Sequence, residues 1–259
     1  MQQRRLRHER CYMGLTNDCC SKITGEHWLS HSILKQIPEL KIRGLPRSNG
    51  QTKTLPASAL TANILCKRHN EAFSPLDTAA GHAFGVLSSA MRHLTAPGIN
   101  TRRDRTYLID GFALELWAVK TLLGIHFGGL SADDGKPTQK TLRFDPEQAV
   151  SHLTGQPLEW PLGFYYPGLW RTDGAHTSLA PLIHGDDLGG IQVSLQSFTL
   201  HSFVAVPEGP DETWTPKGRH RPAFIEINGP RTTSRLIFAW SGMAVGNSGF
   251  QVTWPPGST

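Results

Sequence analysis

Residues 19–34 read CCSKITGEHWLSHSIL, and residues 65–77 read LCKRHNEAFSPLD. Within them lie Cys19 and Cys20, the pair Glu26-His27, and Cys66-x-x-His69 followed at once by Asn70. Each of these side chains can ligate a metal or carry a proton. Their neighbours are ordinary apolar residues able to pack a core. Either the two stretches meet and build a small metal-braced module, or these residues are scattered by chance.

The chain has four cysteines, Cys11, Cys19, Cys20 and Cys66, all in its first quarter. A disulfide framework would spread its bridges, and adjacent Cys19-Cys20 make a poor one. Clustered Cys beside a His reads better as zinc. Zinc takes four ligands in a tetrahedron, and thiolate with imidazole is its common set. Cys66 and His69 supply one half of such a set. Cys11 and Cys20, with eight residues between them, supply the other, and Cys19 is the alternative to Cys20. Structural zinc is therefore the first expected cofactor.

Glu26-His27 is the second pair. A carboxylate suits magnesium, and the adjacent imidazole can take a proton from water. The dipeptide gains meaning from context, because a zinc knuckle would draw Glu26, His27 and Asn70 together across the sequence gap. The order Cys…Cys, Glu26-His27, Cys66-x-x-His69-Asn70 resembles the zinc-containing HNH, or His-Me finger, endonucleases, over roughly residues 8–80. That resemblance implies a treble-clef-like ββα-metal fold. It implies Glu26 as a ligand of a catalytic Mg2+ or Mn2+, His27 as general base, and Asn70 as the residue that orients the His27 loop or the metal. A further ligand is expected on the helix, where Asp77 is preferred to His82. The irregular first cysteine pair, His69 as fourth zinc ligand and the long Pro-rich insert before Leu65 depart from the family pattern. His31, four residues after His27, reads as a polar or packing residue.

The implied chemistry is hydrolysis of DNA phosphodiester bonds. One magnesium held by Glu26 and Asp77 would sit against the phosphate while His27 activates water. Double-stranded DNA is the expected partner. Residues 1–53 carry ten Lys/Arg against four acids, a local +6 in a chain of net +5. Such a patch is the usual electrostatic footprint of nucleic acid. Arg4, Arg5, Arg7 and Lys22 are the candidate backbone contacts, and no base-reading motif is visible.

The 259 residues suffice for one large or two modest domains, and ordinary apolar content (38 %) argues against bulk disorder. No apolar run approaches a membrane span, and MQQRRLRHERC lacks the apolar segment of a secretory signal, so a cytoplasmic protein is expected. The fold class expected is α+β. Residues 1–95 form the zinc/ββα module, 96–155 a helical connector, and 156–259 a mainly antiparallel β domain of unknown role. A helix should start at Ser74-Pro75, with Leu76, Ala80, Phe84, Leu87 and Met91 on one face. APGINTRRDRTYL (residues 96–108) reads as a linker or hairpin. Asp110 should cap a helix running to Gly128-Gly129, and Asp145-Pro146 should start a short one. Beyond Gly155, residues 191–195, 223–227, 235–240 and 250–254 alternate as strands, in a sandwich or partly closed barrel.

Three functions fit. The first is an HNH-type endonuclease with a C-terminal sensing or targeting domain, as a prokaryotic defence or mobile-element effector would have. The second is a zinc-stabilised nucleic-acid-binding or adaptor protein without catalysis. The third makes the β-rich half a small-ligand binder. Nothing in the sequence names a partner protein or an oligomeric state.

Overall fold

The structure is a computed structural model. It describes residues 6–36, 40–42, 53–56, 60–95, 104–128, 144–169, 177–184, 187–195, 198–205, 218–229, 232–240 and 249–253. Among these, the chain is α+β, with four α-helices and sheets that are mostly antiparallel.

The N-terminal part is built on a two-stranded antiparallel sheet, β1 (Ile23–His27) against β4 (Thr61–Cys66). A 3-10 turn at Tyr12–Thr16 precedes it, and the short helix α1 (His31–Leu34) follows β1. The Pro-rich insert before Leu65 holds a small antiparallel pair, β2 (Leu40–Ile42) with β3 (Lys53–Leu55).

Helix α2 runs Lys67–Thr95 and starts directly at the end of β4. This corrects the expected start at Ser74-Pro75. A proline inside a helix removes one backbone bond, here to the carbonyl of Glu71 four residues earlier. Both residues lie on the exposed side, where water can satisfy that carbonyl, so the helix runs through. Ala80, Phe84, Leu87 and Met91 are buried, and Leu76 is half-buried, as the apolar stripe requires.

The segment expected as a linker or hairpin leads into β5 (Arg105–Asp110), which pairs in parallel with a C-terminal strand. Residues 96–103 and 129–143 lie outside the described residues. Asp110 caps α3 (Gly111–Phe127), its carboxylate accepting from the Ala113 amide. Asp145 caps α4 (Pro146–Leu153) in the same way, accepting from Glu147. Helix α3 is buried nearly all round, the pattern of a central helix rather than a surface one.

Eight strands follow: β6 (Gly163–Leu169), β7 (Thr177–His184), β8 (Asp187–Leu195), β9 (Phe198–Phe203), β10 (Arg219–His220), β11 (Phe224–Asn228), β12 (Thr233–Ala239) and β13 (Gly249–Thr253). They form an antiparallel sheet ordered β10-β6-β9-β8-β7 and a mixed sheet ordered β13-β11-β12-β5, whose β11–β13 and β12–β5 pairings are parallel. Helix α3 contacts α2, α4 and strands of both sheets. One continuous hydrophobic cluster reaches from Cys11 to Trp240. The aromatic residues Phe164, Phe198, Phe203, Phe238 and Trp240 belong to it.

Candidate metal centre and adjoining cleft

Cys11, Cys19, Cys66 and His69 come together in the buried angle between the N-terminal segment, the end of β4 and the first turn of α2. Their ligand atoms all lie within 4.8 Å of one another. The three sulfurs stand 3.4, 3.8 and 3.2 Å from His69 Nδ1. A tetrahedral zinc ion with ordinary bond lengths separates sulfur and nitrogen by about 3.5 Å, so this donor set fits zinc. The surroundings favour it too. The Cys66 amide donates to Cys11 Sγ at 3.3 Å, as amides do to a ligating thiolate. His69 Nε2 faces Asp18 Oδ1 at 2.9 Å, which turns Nδ1 toward the sulfurs. Burial pushes the Cys11 thiol up to about 12 and raises Cys19 as well. A bound cation would provide the charge that such buried thiolates need.

Cys20 is not in this group; Cys19 is. Neighbouring side chains on extended backbone point to opposite sides, so only one of the two can face the pocket. Cys20 Sγ instead accepts from the Arg68 amide at 3.4 Å, and that hydrogen bond lowers its pKa. Asp18 was missed by the sequence reading, although it directly precedes the cysteine pair.

Next to this centre is a cleft of about 280 Å³ bordered by Glu26, His27, His31, Asn70, Ser74 and Asp77. Three separate pieces of chain contribute to it, and the local geometry explains each. On β1 the pairing slips between Thr24 and Glu26, a bulge of the kind that re-aims side chains. On α2, Asn70 and Asp77 are seven residues apart, close to two helical turns, so they share one stripe. His82, five residues beyond Asp77, falls well round the helix and is exposed. The Asn70 amide donates to Thr24 Oγ1 (3.0 Å) and to the Gly25 carbonyl (3.2 Å), tying α2 to the bulge just before His27.

His31 also borders the cleft. Its ring stacks on that of His27, with centroids 5.3 Å apart and 16° between planes. The sequence reads it as a polar or packing residue; the short helix α1 places it at the cleft. Burial, aided by His31 and Lys120, holds the His27 pKa below the usual imidazole value, so the ring is neutral at neutral pH.

The residue that sequence reasoning missed altogether is Lys120, on α3. It is 3 % exposed. Its ammonium donates to Asp77 Oδ1 (2.8 Å) and Oδ2 (2.9 Å) and pairs with Glu26 Oε1. Ser30 Oγ donates to Asp77 Oδ1 and accepts from Trp117 Nε1 at 2.6 Å. Burial raises the Glu26 pKa, opposed by the Lys120 charge and hydrogen bond. These contacts bear on the expected magnesium. The carboxylate oxygens that a divalent ion would need are already taken by the Lys120 ammonium, whose positive charge would repel the ion. The carboxylate pair therefore does not fit a divalent ion while Lys120 is in place.

Of the basic residues, Arg4 and Arg5 lie outside the described residues. Arg7 is exposed and borders a separate hollow of about 860 Å³ together with His8, Arg10 and Asn63. Lys22 is exposed beside the metal centre, its carbonyl accepting from the Lys67 amide at 2.8 Å. A larger concavity, about 1000 Å³, runs along α4 and gathers Asp145, Glu147 and Glu159. Its acidic lining suits a polyanion poorly, so chemistry rather than size singles out the smaller cleft. No helix among the described residues is long and apolar enough to cross a membrane.

Comparison with protein-family models, with curated proteins and with solved structures finds no match for this chain. The functional reading therefore rests on the metal centre and the cleft themselves.

Proposed function

We propose that this chain is a zinc-braced nuclease of the HNH (His-Me finger) kind that hydrolyses phosphodiester bonds in double-stranded DNA. One observation carries the reading. Glu26, His27, Asn70 and Asp77, chosen from two distant sequence stretches, border a single cleft beside the Cys3His group. Chance scatter gives no reason for such convergence, and an adaptor without catalysis has no use for a neutral imidazole there.

In this reading the zinc centre is structural, joining the N-terminal segment to α2. His27, neutral at working pH, takes a proton from a water that attacks phosphorus. The bond to the leaving sugar oxygen breaks, and that oxygen takes up a proton. Asn70 acts on the backbone, holding the β1 bulge so that the His27 ring faces the cleft. Arg7, Lys22 and the basic N-terminal residues track the phosphates and make binding fall with salt. The Mg2+ or Mn2+ that the family resemblance implies would have to displace Lys120 from the acid pair before it could bind there.

The test is cleavage of supercoiled plasmid by zinc-loaded protein, wild type beside His27→Ala, with and without Mg2+ or Mn2+. Nicking that disappears in the variant is expected. Intact DNA binding with no cleavage under any of these conditions would reject the nuclease in favour of a zinc-stabilised DNA-binding adaptor.

A further inference from the structure

We propose that Lys120 is the resident cation of the Glu26–Asp77 pair and takes the place there of a tightly bound divalent ion. The inference rests on the cleft being the working site, but not on what reaction it catalyses.

The geometry is that of a built site rather than a passing contact. Lys120 projects from the central helix α3, and its ammonium reaches both Asp77 oxygens and Glu26 Oε1. Those oxygens use the three donors an ammonium has. The stem is fixed by burial, since Lys120 itself is almost wholly covered. Asp77 has further partners as well. Ser30 binds Asp77 Oδ1, the Ser32 hydroxyl donates to the Asp77 carbonyl at 2.7 Å, and Trp117 anchors Ser30.

Two carboxylates drawn together, Glu26 buried and Asp77 half-buried, favour a positive charge between them. In a metal site the ion supplies it and brings two charges. Here the chain supplies one. The oxygens that face Lys120 are occupied by it. Glu26 and Asp77 still border the cleft, while Lys120 lies behind them and does not. Lys120 is thus a positioning residue. It fixes the direction of the two carboxylates and sets the charge that the cleft presents, without touching substrate. A lysine is suited to this, because a compact ammonium can donate to two carboxylates at once, whereas the guanidinium of arginine is a flat, wider fork.

The experiment is Mn2+ binding to zinc-loaded protein, read by paramagnetic resonance of free Mn2+ and by thermal shift. Wild type is compared with Lys120→Met, Lys120→Arg and the double variant Lys120→Met/Asp77→Asn. Wild type is expected to show no saturable binding below about 1 mM, in line with the repulsion between the ammonium and the ion. Lys120→Met should bind one Mn2+ at least roughly a hundredfold more tightly, by removal of that repulsion. Lys120→Arg should keep the wild-type behaviour, and Asp77→Asn in the double variant should abolish the gain. Micromolar, stoichiometric binding to wild type would overturn the proposal. So would unchanged affinity in Lys120→Met, or a gain that survives Asp77→Asn. If Lys120→Met does not fold, the wild-type titration still decides, because it alone asks whether an ion binds tightly with Lys120 present. No step of this test measures cleavage, so a failed nuclease assay and a failed Lys120 assignment are told apart.

Discussion

His27 can act as a base only while its ring is uncharged, and its surroundings favour that state. Burial lowers its pKa, and the neighbouring His31 ring and Lys120 ammonium push the same way. The active form is therefore fully present above the usual imidazole value of about 6.5 and is lost as pH falls through the lower, folded-state value. The plasmid-nicking rate should be flat through neutrality and drop on an acid limb whose midpoint lies below about 6.5. Replacing His27 by Ala should cost about 10²–10⁴ in rate and remove that limb. A midpoint above the free imidazole value would mean that another group is titrating. At the metal centre, Cys19→Ser should lose bound zinc by elemental analysis, whereas Cys20→Ser should keep it, because only Cys19 joins the buried group. Asp18→Asn should weaken zinc affinity by about 10–100-fold, since Asp18 fixes the His69 ring. Glu26, His27, Asn70 and Asp77 stand out in the sequence through the resemblance to the HNH pattern, and the fold brings the four to one cleft. The sequence could not choose between Cys19 and Cys20, which differ only in the direction of one side chain on an extended backbone. Lys120 left a fainter trace, a lysine inside the apolar run LELWAVKTLLGI, and its partners are far away along the chain.

Helix α1 brings His31 to the cleft, and its seat on α2 depends on one glycine. A Cβ added at Gly81 would lie 2.6 Å from Ser32 Cβ, which cannot swing aside as the end of a long side chain could. Gly81→Ala should gain about 1 kcal/mol in helix propensity. Overpacking costs about 1–3 kcal/mol, so the net change should be destabilising, and denaturant unfolding will measure it. The same shift should loosen the Ser32–Asp77 contact and slow cleavage more than Gly85→Ala, where the nearest atom is the flexible end of Gln36 at 3.5 Å. A stabilised Gly81→Ala protein would mean that α1 does not rest there. The elements themselves were unevenly legible. Asp110 and Asp145 marked their helices because capping is local chemistry. The start of α2 was misplaced because Pro75 resembles a first-turn proline, while the signal that overrides it is the junction with β4. Strand β5 falls in a stretch that reads as a linker or hairpin, because its partner β12 is more than a hundred residues later and pairs in parallel, a register that no local turn specifies.

At the scale of the whole molecule, two buried charged groups on α3 tie the parts together from different sides. Lys120 holds the cleft, and Glu115 holds the C-terminal half. Glu115 is fully buried, and Arg221 donates to both its oxygens at 2.9 and 2.8 Å. The Phe164 amide donates to Oε2 at 2.8 Å, and His152 Nε2 lies 3.2 Å from Oε1. One carboxylate thus joins α3 to α4, to the start of β6 and to the segment before β11. Burial acts to raise its pKa, but the hydrogen bonds and charges of His152 and Arg221 outweigh it, so the folded-state value lies below the usual carboxylate value. A group depressed in this way adds stability that is complete above its unfolded value of about 4.3 and is lost as pH falls through the folded one. The urea midpoint, followed by Trp fluorescence, should therefore decline below about pH 4.3, and Glu115→Gln should flatten that decline. At neutral pH the same variant should be less stable by about 3–5 kcal/mol, because Arg221 is left buried without its charge partner. Glu115→Gln should nevertheless retain zinc in stoichiometric amount whenever it is folded, since Glu115 contacts none of the four ligands. An unchanged neutral stability would mean that the Glu115 network does not bind the two halves of the chain, and that apolar burial around α3 alone does so.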